Sequence, residues 1–442
     1  MQIKRFFITG ITFANILKAS KYYFNHVIFL FLSRPYYKLL ISLMYKSHRN
    51  IWLKIILKLL VKSLRIEPEE FVAISDYLGL KSTDEEVLHL DKVTLSYSAP
   101  KFDELASNKS DLIEGIKYDH YGLCLRNATF FGSSSIIFLE NGRVLYDLKL
   151  LDKGQRYWYT DTGIVYYKQN GLIIKSGTVK KEFKEAIWMG GNYSANYYHL
   201  LFEFLIKFEK LDSLDIPLDI PILIDKVCFE VPQFNELLQF VNVQDRQLIG
   251  VDHGCRYRVK KMYFINSPNI IPPNYINDRD LLPEDVQFDI RSLLALRSRL
   301  LVNISPKTFP KRIYISRSNA STRRQFNEGA VFNLLKEFGF VSVAPEELSA
   351  TEQMALFNGA DWIAGGSGAA FTNLIYCTNT SKAIIFAKTR LPFSGFSTIA
   401  AAVGADLRYV TEESTKGDLL KTLHDPFEID ISMLRKILTD WI

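Results

Sequence analysis

The residues best suited to proton chemistry are a histidine and a glutamate in the segment NYYHLLFEFLIKFEKL, residues 196–211. His199 and Glu203 are four positions apart, so they share one face of the helix that the apolar pattern predicts. A histidine paired with a carboxylate can accept a proton from a hydroxyl group. The structural alternative makes Asn196 the N-cap of this helix, His199 a core residue and Glu203 a surface residue.

Two further features are suited to binding an anion such as a diphosphate. The run GGSGAA, residues 365–370, lies between a predicted strand and a predicted helix. Glycines there would let the backbone approach a ligand closely, and amides at the start of a helix attract negative charge. Arg317, Arg323 and Arg324 follow another predicted strand of the same unit, and guanidinium groups bind phosphate oxygens in pairs. A tight turn and a solvated loop are the structural alternatives.

The sequence predicts no metal site. Asp278 and Asp280 form a DxD-like pair, but they lie in a proline-rich stretch that we interpret as a solvated loop. The four cysteines, at positions 124, 228, 255 and 377, are far apart and form no CxxC motif. This usage is typical of free thiols in a reducing compartment.

The elements that must position these residues belong to more than one folded region. A chain of 442 residues that is 48% hydrophobic and 23% charged predicts two or three domains and excludes a disordered chain. Apolar and polar residues alternate around Asn141-Gly142 and Asn170-Gly171, which predicts antiparallel hairpins. From residue 196 onward, strands alternating with helices predict a parallel α/β layer, defined best between residues 312 and 410.

The N-terminal segment has a different charge from the rest of the chain. Residues 1–66 contain 12 of the 54 Lys and Arg residues and none of the 48 Asp and Glu residues. Lys54, Lys58, Lys62 and Arg65 share one helical face beside a wide apolar face, a pattern typical of a helix at a membrane surface. The uncharged runs, 12 residues at most, are too short to span a bilayer. The alternatives are a helix packed on the protein body and nucleic-acid binding, which no later motif supports.

Taken together, these motifs resemble glycosyltransferase family 61. The stretch RIYISRSNASTRRQFNE, the Pro-Glu and Ser-x-x-Glu-Gln motifs after it, and GAAFTN are similar to the signature of that family. The segment NYYHLLFE resembles its Asn-aromatic-x-His helix with an acidic residue one turn later. The resemblance covers about residues 120–410 and leaves residues 1–120 outside.

The resemblance implies an α/β, GT-B-like fold in which two Rossmann-like domains face each other across a cleft. A small antiparallel β region and an N-terminal amphipathic helical segment would accompany it. We therefore expect five regions along the chain. These are a membrane-associating segment (1–66), a mixed helical and loop region (67–120), an acceptor-side α/β domain with β-hairpins (121–305), a nucleotide-sugar-binding Rossmann-like domain (306–412) and a helical tail (413–442).

The resemblance also implies roles for individual residues. The donor diphosphate would be held by Arg317, Arg323, Arg324, Gly366, Ser367, Gly368 and Ala369. The donor site would be shaped by Asn327, Glu328, Gln353, Thr372 and Asn373. His199 or Glu203 would face the acceptor as the catalytic base. Many members carry a histidine where this chain has Ser367, and a serine cannot carry positive charge, so the backbone amides are left for that role.

The implied activity is transfer of a hexosyl or pentosyl group from a nucleotide sugar with inversion. The acceptor would be an oligosaccharide or lipid-linked glycan of the capsule or lipopolysaccharide type. We expect no metal ion and no cofactor besides the donor co-substrate, and no nucleic-acid partner. The protein would lie on the cytoplasmic face of the cell membrane, bound to its anionic surface through residues 1–66. The alternative is a non-catalytic glycan-binding or scaffold subunit of a polysaccharide assembly complex, which the change at Ser367 favours.

The charge pattern predicts that the N-terminal segment is responsible for membrane association. A truncated protein that starts near Glu67 is expected to move from the membrane fraction to the soluble fraction, because it lacks the cationic face that attracts anionic lipid. Fractionation of cells that express the full or the truncated chain measures this change. Equal retention of both proteins in the membrane fraction would contradict it.

Overall fold

The computed structural model describes residues 69–75, 85–102, 111–140, 142–145, 162–168, 171–175, 177–272, 281–316, 326–412 and 425–441. The membrane-associating segment predicted at residues 1–66 lies outside the described residues, as do Arg317, Arg323 and Arg324. Within the described ranges, no helix is both long enough and apolar enough to cross a membrane. Contacts divide the chain into two compact units.

The first unit consists of residues 1–74 and 164–176. Its described strands are β1 (Glu69–Ser75), β6 (Ile164–Lys168) and β7 (Gly171–Lys175). β7 pairs antiparallel with both of the others. The β6–β7 pairing confirms the hairpin predicted around Asn170-Gly171.

The second unit consists of residues 75–163 and 177–442, and its N-terminal part is antiparallel. The strands are β2 (Glu85–Tyr97), β3 (Ile113–Phe131), β4 (Ile137–Phe138) and β5 (Arg143–Leu145), each paired with the next. The β4–β5 pairing confirms the hairpin predicted at Asn141-Gly142.

The strands β1, β2 and the start of β3 correct the prediction of helices and loops over residues 67–120. A period of two is present in β2, where Val93 and Leu95 are buried and Thr94 between them is exposed. Charged residues at the exposed positions, such as Lys92, make the stretch look irregular in sequence. The alternation becomes evident only when one face of the strand is known to be buried.

The sheet continues with four parallel strands that precede the candidate site. They are β8 (Val179–Trp188), β9 (Ile222–Asp225), β10 (Leu248–Val251) and β11 (Arg256–Ile265), in the order β10-β9-β8-β11-β3, where β3 is antiparallel. The helical segments along this part are α1 (Tyr197–His199), a π-helix (Leu200–Leu205), α2 (Lys207–Asp212), α3 (Val227–Glu230) and α4 (Pro232–Val241). The sequence predicts a short buried strand that ends at Asp225 and a second strand that ends at Ile265, and β9 and β11 confirm both predictions.

A second sheet of five parallel strands confirms the α/β unit predicted between residues 312 and 410. It contains β12 (Arg312–Ile315), β13 (Val341–Val343), β14 (Trp362–Gly366), β15 (Lys382–Ala387) and β16 (Asp406–Thr411), in the order β13-β12-β14-β15-β16. This is a doubly wound order in which the direction of winding reverses between β12 and β14. Ligands of such sheets bind at the carboxyl ends of the strands at that point.

The helices of this region are α5 (Ile290–Leu301), α6 (Glu328–Glu337), α7 (Ala350–Gly359), a 3-10 helix (Ala369–Tyr376), α8 (Gly395–Val403) and α9 (Ile431–Trp441). The sequence predicts a helix over residues 284–301, but α5 begins later, because Asp289 caps its first turn by accepting a hydrogen bond from Arg291 N at 3.2 Å. α9 is the helix predicted in the C-terminal tail.

The parallel strands of the first sheet and the second sheet share one hydrophobic core. Ile187 and Ile222 of the first sheet and Ile315 and Ile363 of the second belong to the same cluster of buried side chains. Residues of α4, α5 and the 3-10 helix contribute to the same cluster, and α5 contacts both of the other helices. The side chains of the two sheets are therefore packed into one buried cluster.

Candidate active site

The helical segment that carries His199 and Glu203 begins at a capped turn. The Asn196 side chain accepts a hydrogen bond from Tyr198 N at 2.9 Å, so Asn196 is the N-cap, as its structural interpretation predicts. α1 then widens into the π-helix, where Ile206 N donates to Leu201 O at 3.1 Å. Such wide turns cost helix stability and occur often at functional sites.

His199 and Glu203 are paired directly, as their spacing predicts. Nδ1 of His199 hydrogen-bonds with Oε2 of Glu203, and the two side chains are 14% and 21% exposed. A carboxylate at Nδ1 favours the tautomer that carries its proton there and leaves Nε2 as the acceptor. Within the described part of the chain, Nε2 of His199 makes no hydrogen bond and is not buried. The pair therefore presents a basic nitrogen to solvent.

His120 shows the contrasting, structural kind of histidine. Its Nε2 is buried without a hydrogen-bond partner among the described residues, and burial lowers the pKa of His120 to about 4. A neutral imidazole that no substrate can reach has no role in proton transfer. Of these two histidines, only His199 has a ring nitrogen that a hydroxyl group could approach.

The loop between β8 and α1 is held by Asp225, a residue that sequence patterns did not single out. Asp225 lies at the end of β9 and is 1% exposed. Its carboxylate accepts hydrogen bonds from Gly191 N at 2.9 Å, and from the backbone and hydroxyl groups of Ser133. Burial raises the pKa of Asp225, and these hydrogen bonds oppose the rise.

Two glycines allow this close packing of the loop. A Cβ atom at Gly190 would be 2.6 Å from Asp225 Oδ2, and one at Gly191 would be 2.6 Å from a ring carbon of Phe204. Both distances are far below van der Waals contact, so a side chain at either position would displace the loop. A Gly-Gly pair one residue after the end of a strand is the sequence signal that identifies this loop.

The glycine-rich run, residues 365–370, lies at the carboxyl edge of the second sheet, but one of its backbone amides is already hydrogen-bonded within the protein. Ser367 N donates to Phe386 O at 2.8 Å, which corrects its assignment as a backbone donor to diphosphate. The first hydrogen bond of the 3-10 helix runs from Phe371 N to Gly368 O, 3.1 Å. The amides of residues 368–370 therefore have no partner within the helix and can face an anion.

The strand before the predicted arginines, β12, is described, whereas the arginines themselves lie outside the described residues. Ile315 at the end of β12 pairs with Gly365 of β14. The carboxyl ends of β12 and β14 therefore lie at the same edge of the sheet, where its winding direction reverses.

Asn327 and Glu328 have structural partners. The Asn327 side chain donates to Ile429 O and accepts from Ile429 N, both at 2.9 Å. Glu328 accepts a hydrogen bond from the hydroxyl of Tyr314 at 2.8 Å. Asn327 connects α6 to the segment before α9. Because its side-chain oxygen and nitrogen are both bonded to Ile429, the structure does not support the assignment of Asn327 to the donor site.

Gln353, Thr372 and Asn373 are brought together, but in the interior. Asn373 is fully buried; its amide donates to Gln353 Oε1 at 2.9 Å, and its oxygen accepts from the Tyr197 hydroxyl at 2.7 Å. Burial raises the pKa of Tyr197, so this hydroxyl keeps its proton. Thr372 is fully buried, and its hydroxyl has no partner among the described residues. The hydrogen bonds of Asn373 attach the 3-10 helix to α7 and to α1.

Comparison with known proteins identifies the domain that contains these residues. The family model described as Glycosyltransferase 61 matches residues 197–384. The chain carries a glycosyltransferase 61 domain. No curated protein matches the chain.

The residues that match the glycosyltransferase 61 model begin at Tyr197 and end within β15. It therefore contains the His199–Glu203 pair, the glycine-rich run and the Tyr197–Asn373 hydrogen bond that joins them. Asp225 belongs to the domain, whereas its partners Ser133 and Gly191 precede the matched residues. Among the described residues, no group of three or more His, Cys, Asp or Glu side chains could hold a metal ion.

The contacts of Asp225 predict that the loop before α1 depends on its charge. Asp225→Asn replaces one acceptor oxygen with an NH2 group that would face the N–H donors of the loop. We expect the free energy of unfolding to fall by about 2–4 kcal/mol, as for a buried donor left without its acceptor. Urea denaturation of the whole chain measures this loss. Asp252→Asn, at a half-exposed carboxylate paired with Lys180, is the matched control and should leave the midpoint nearly unchanged.

Proposed function

We propose that the protein is an inverting glycosyltransferase that transfers a sugar from a nucleotide-sugar donor to a hydroxyl group of a surface glycan. The glycosyltransferase 61 domain supports sugar transfer as the reaction. The nature of the donor, the acceptor and the stereochemistry are our inference from the arrangement of the site. In this proposal, the two parallel sheets are the acceptor-side and donor-side halves of a GT-B-like architecture.

On the acceptor side, His199 is the proposed base. Its Nε2 accepts the proton of the acceptor hydroxyl as that oxygen forms a bond to the anomeric carbon. Glu203, at Nδ1, stabilises the positive charge that then develops on the imidazole ring. The oxygen attacks from the side opposite the departing diphosphate, which gives inversion.

On the donor side, the bond between the anomeric carbon and the diphosphate oxygen breaks, and negative charge accumulates on the leaving group. The amides of residues 368–370 and the positive end of the 3-10 helix would stabilise that charge. Arg317, with Arg323 or Arg324, would supply the balancing cations from the neighbouring strand end. These groups would perform the role without a metal ion.

The observation that carries this proposal is the 2.7 Å hydrogen bond from the Tyr197 hydroxyl to Asn373. Tyr197 is two residues before the proposed base, and Asn373 lies on the 3-10 helix that begins beside the proposed phosphate site. At a rise of about 2 Å per residue, Asn373 is about 8 Å from the first residue of that helix. The segment with the proposed base and the helix with the proposed phosphate site are thus joined by one hydrogen bond. This connection supports a site in which the acceptor and the donor lie next to each other.

We further propose that the acceptor is attached to, or grows at, a membrane. The cationic segment 1–66 would hold the enzyme to anionic lipid on the cytoplasmic face, where nucleotide sugars are available. A lipid-linked oligosaccharide of the capsule or lipopolysaccharide type would be the matching acceptor. The N-terminal charge pattern supports this part of the proposal.

The proton-transfer roles predict a loss of turnover without a loss of donor binding. His199→Ala and Glu203→Gln are each expected to lower kcat by about 100-fold to 10,000-fold, because a positioned base contributes that much. Transfer of radiolabelled sugar to membrane-derived glycan measures kcat. His253→Ala, at an exposed histidine, is the control and should retain full activity. Full transfer by the His199→Ala, Glu203→Gln double variant would disprove the assignment of the base.

The donor-side roles predict that binding of nucleotide sugars depends on Arg317. A panel of nucleotide sugars, tested by thermal shift, should raise the melting temperature of the whole protein. Arg317→Ala should weaken binding about 10-fold to 100-fold, since a charged hydrogen bond contributes about 1.5–3 kcal/mol. Lys336→Ala, at an exposed position of α6, is the matched control. Unchanged binding in Arg317→Ala would contradict the donor site, and binding without transfer would favour the scaffold alternative.

A further inference from the structure

Tyr193, in the loop before α1, has a backbone conformation that a tyrosine rarely adopts. Its φ angle is +63°, in the left-handed region where a Cβ atom is crowded. Asn127, Ser133 and Asp245 are the other non-glycine residues with positive φ in the described ranges. Their small polar side chains tolerate this region better than an aromatic residue does. Strain of this kind persists only where the surroundings impose it, and it occurs often at functional sites.

Hydrogen bonds on both sides of Tyr193 impose this strained backbone conformation. On one side, Gly191 N is bound to Asp225, and Asn192 N donates to Ser135 Oγ at 2.8 Å. On the other side, Tyr193 O accepts a hydrogen bond from Asn196 N at 2.8 Å, which links it to the start of α1. The backbone is therefore held both before and after Tyr193, and the residue has no freedom to relax.

The strained backbone places the Tyr193 ring on the imidazole of His199. The two ring centroids are 5.1 Å apart and the planes are inclined by 27°, which is a stacked arrangement. Tyr198 contacts the same imidazole edge-on, with centroids 5.6 Å apart. With Nδ1 bound to Glu203, the stacked face and the edge contact fix the remaining rotation of the ring. Nε2 can then point in one direction only.

We propose that Tyr193 is a positioning residue that orients Nε2 of His199 toward the acceptor hydroxyl. This inference rests on the proposed function, because it assumes that His199 is the base. Tyr193 acts through the imidazole and not on the substrate. A base that is held in the productive orientation avoids the loss of rate that follows from free rotation. The strain in the loop is the cost of placing an aromatic ring at this point.

The test compares two substitutions of Tyr193 in the full-length protein. Tyr193→Phe keeps the stacked ring, and its kcat should stay within about twofold of wild type. Tyr193→Gly removes the ring and also the backbone strain. Its melting temperature should therefore equal or exceed that of wild type, while kcat falls at least tenfold and the KM values for donor and acceptor stay the same. Asp245→Gly, at an exposed residue with φ +49°, relieves similar strain elsewhere and is the matched control.

A second measurement does not depend on activity. In protein with labelled histidine, the ring-proton resonance of His199 carries a ring-current shift from Tyr193. That shift should persist in Tyr193→Phe and disappear in Tyr193→Gly; its assignment comes from the signal missing in His199→Ala. Wild-type kcat in Tyr193→Gly, or a raised acceptor KM with unchanged kcat, would overturn the positioning role. A wild-type protein that shows the ring-current shift but transfers no sugar would overturn the proposed function, and the role of Tyr193 with it.

Discussion

The arrangement of the candidate site depends on one hydrogen bond, from the Tyr197 hydroxyl to the buried Asn373 side chain at 2.7 Å. Asn373 cannot exchange this bond for one to water, because it is fully buried, so breaking the bond would leave its side-chain oxygen unsatisfied. The amide of Asn373 is bound in turn to Gln353. The helical segment with the proposed base and the helix with the proposed phosphate site therefore have one relative position.

A second constraint acts on the proposed base itself. Asp225 is a buried carboxylate whose described partners are N–H and O–H donors, and it fixes the loop that contains Tyr193. The loop places an aromatic ring on the face of His199, while the helix supplies Glu203 at its Nδ1. The helix thus supplies the imidazole, and the loop contributes to its orientation. A rigid loop is needed because a histidine side chain on an open helix face can adopt several rotamers.

Features that depend on neighbouring residues were predictable. The Asn-Gly hairpins, the strand that ends at Asp225, and the helix cap at Ser349, where Ser349 Oγ accepts from Glu352 N at 3.2 Å, all follow from a few adjacent side chains. The strands between residues 67 and 120 were not predictable, because alternation identifies a strand only when its buried face is known. The π-helix at residues 200–205 has no sequence signal that separates it from an α-helix.

The sequence by itself determined the spacing of His199 and Glu203, the glycine-rich run at the end of β14 and the resemblance to glycosyltransferase family 61. Only the tertiary structure decided which polar groups remain available. It uses the Ser367 amide for Phe386 and the Asn327 side chain for Ile429, and it leaves Nε2 of His199 open among the described residues. The physical reason is that an amide group that is already hydrogen-bonded inside the protein is no longer available to bind a ligand. In the hydrogen bond between Tyr197 and Asn373 the two partners are 176 positions apart in the sequence. Local sequence patterns carry no information about a contact at that distance.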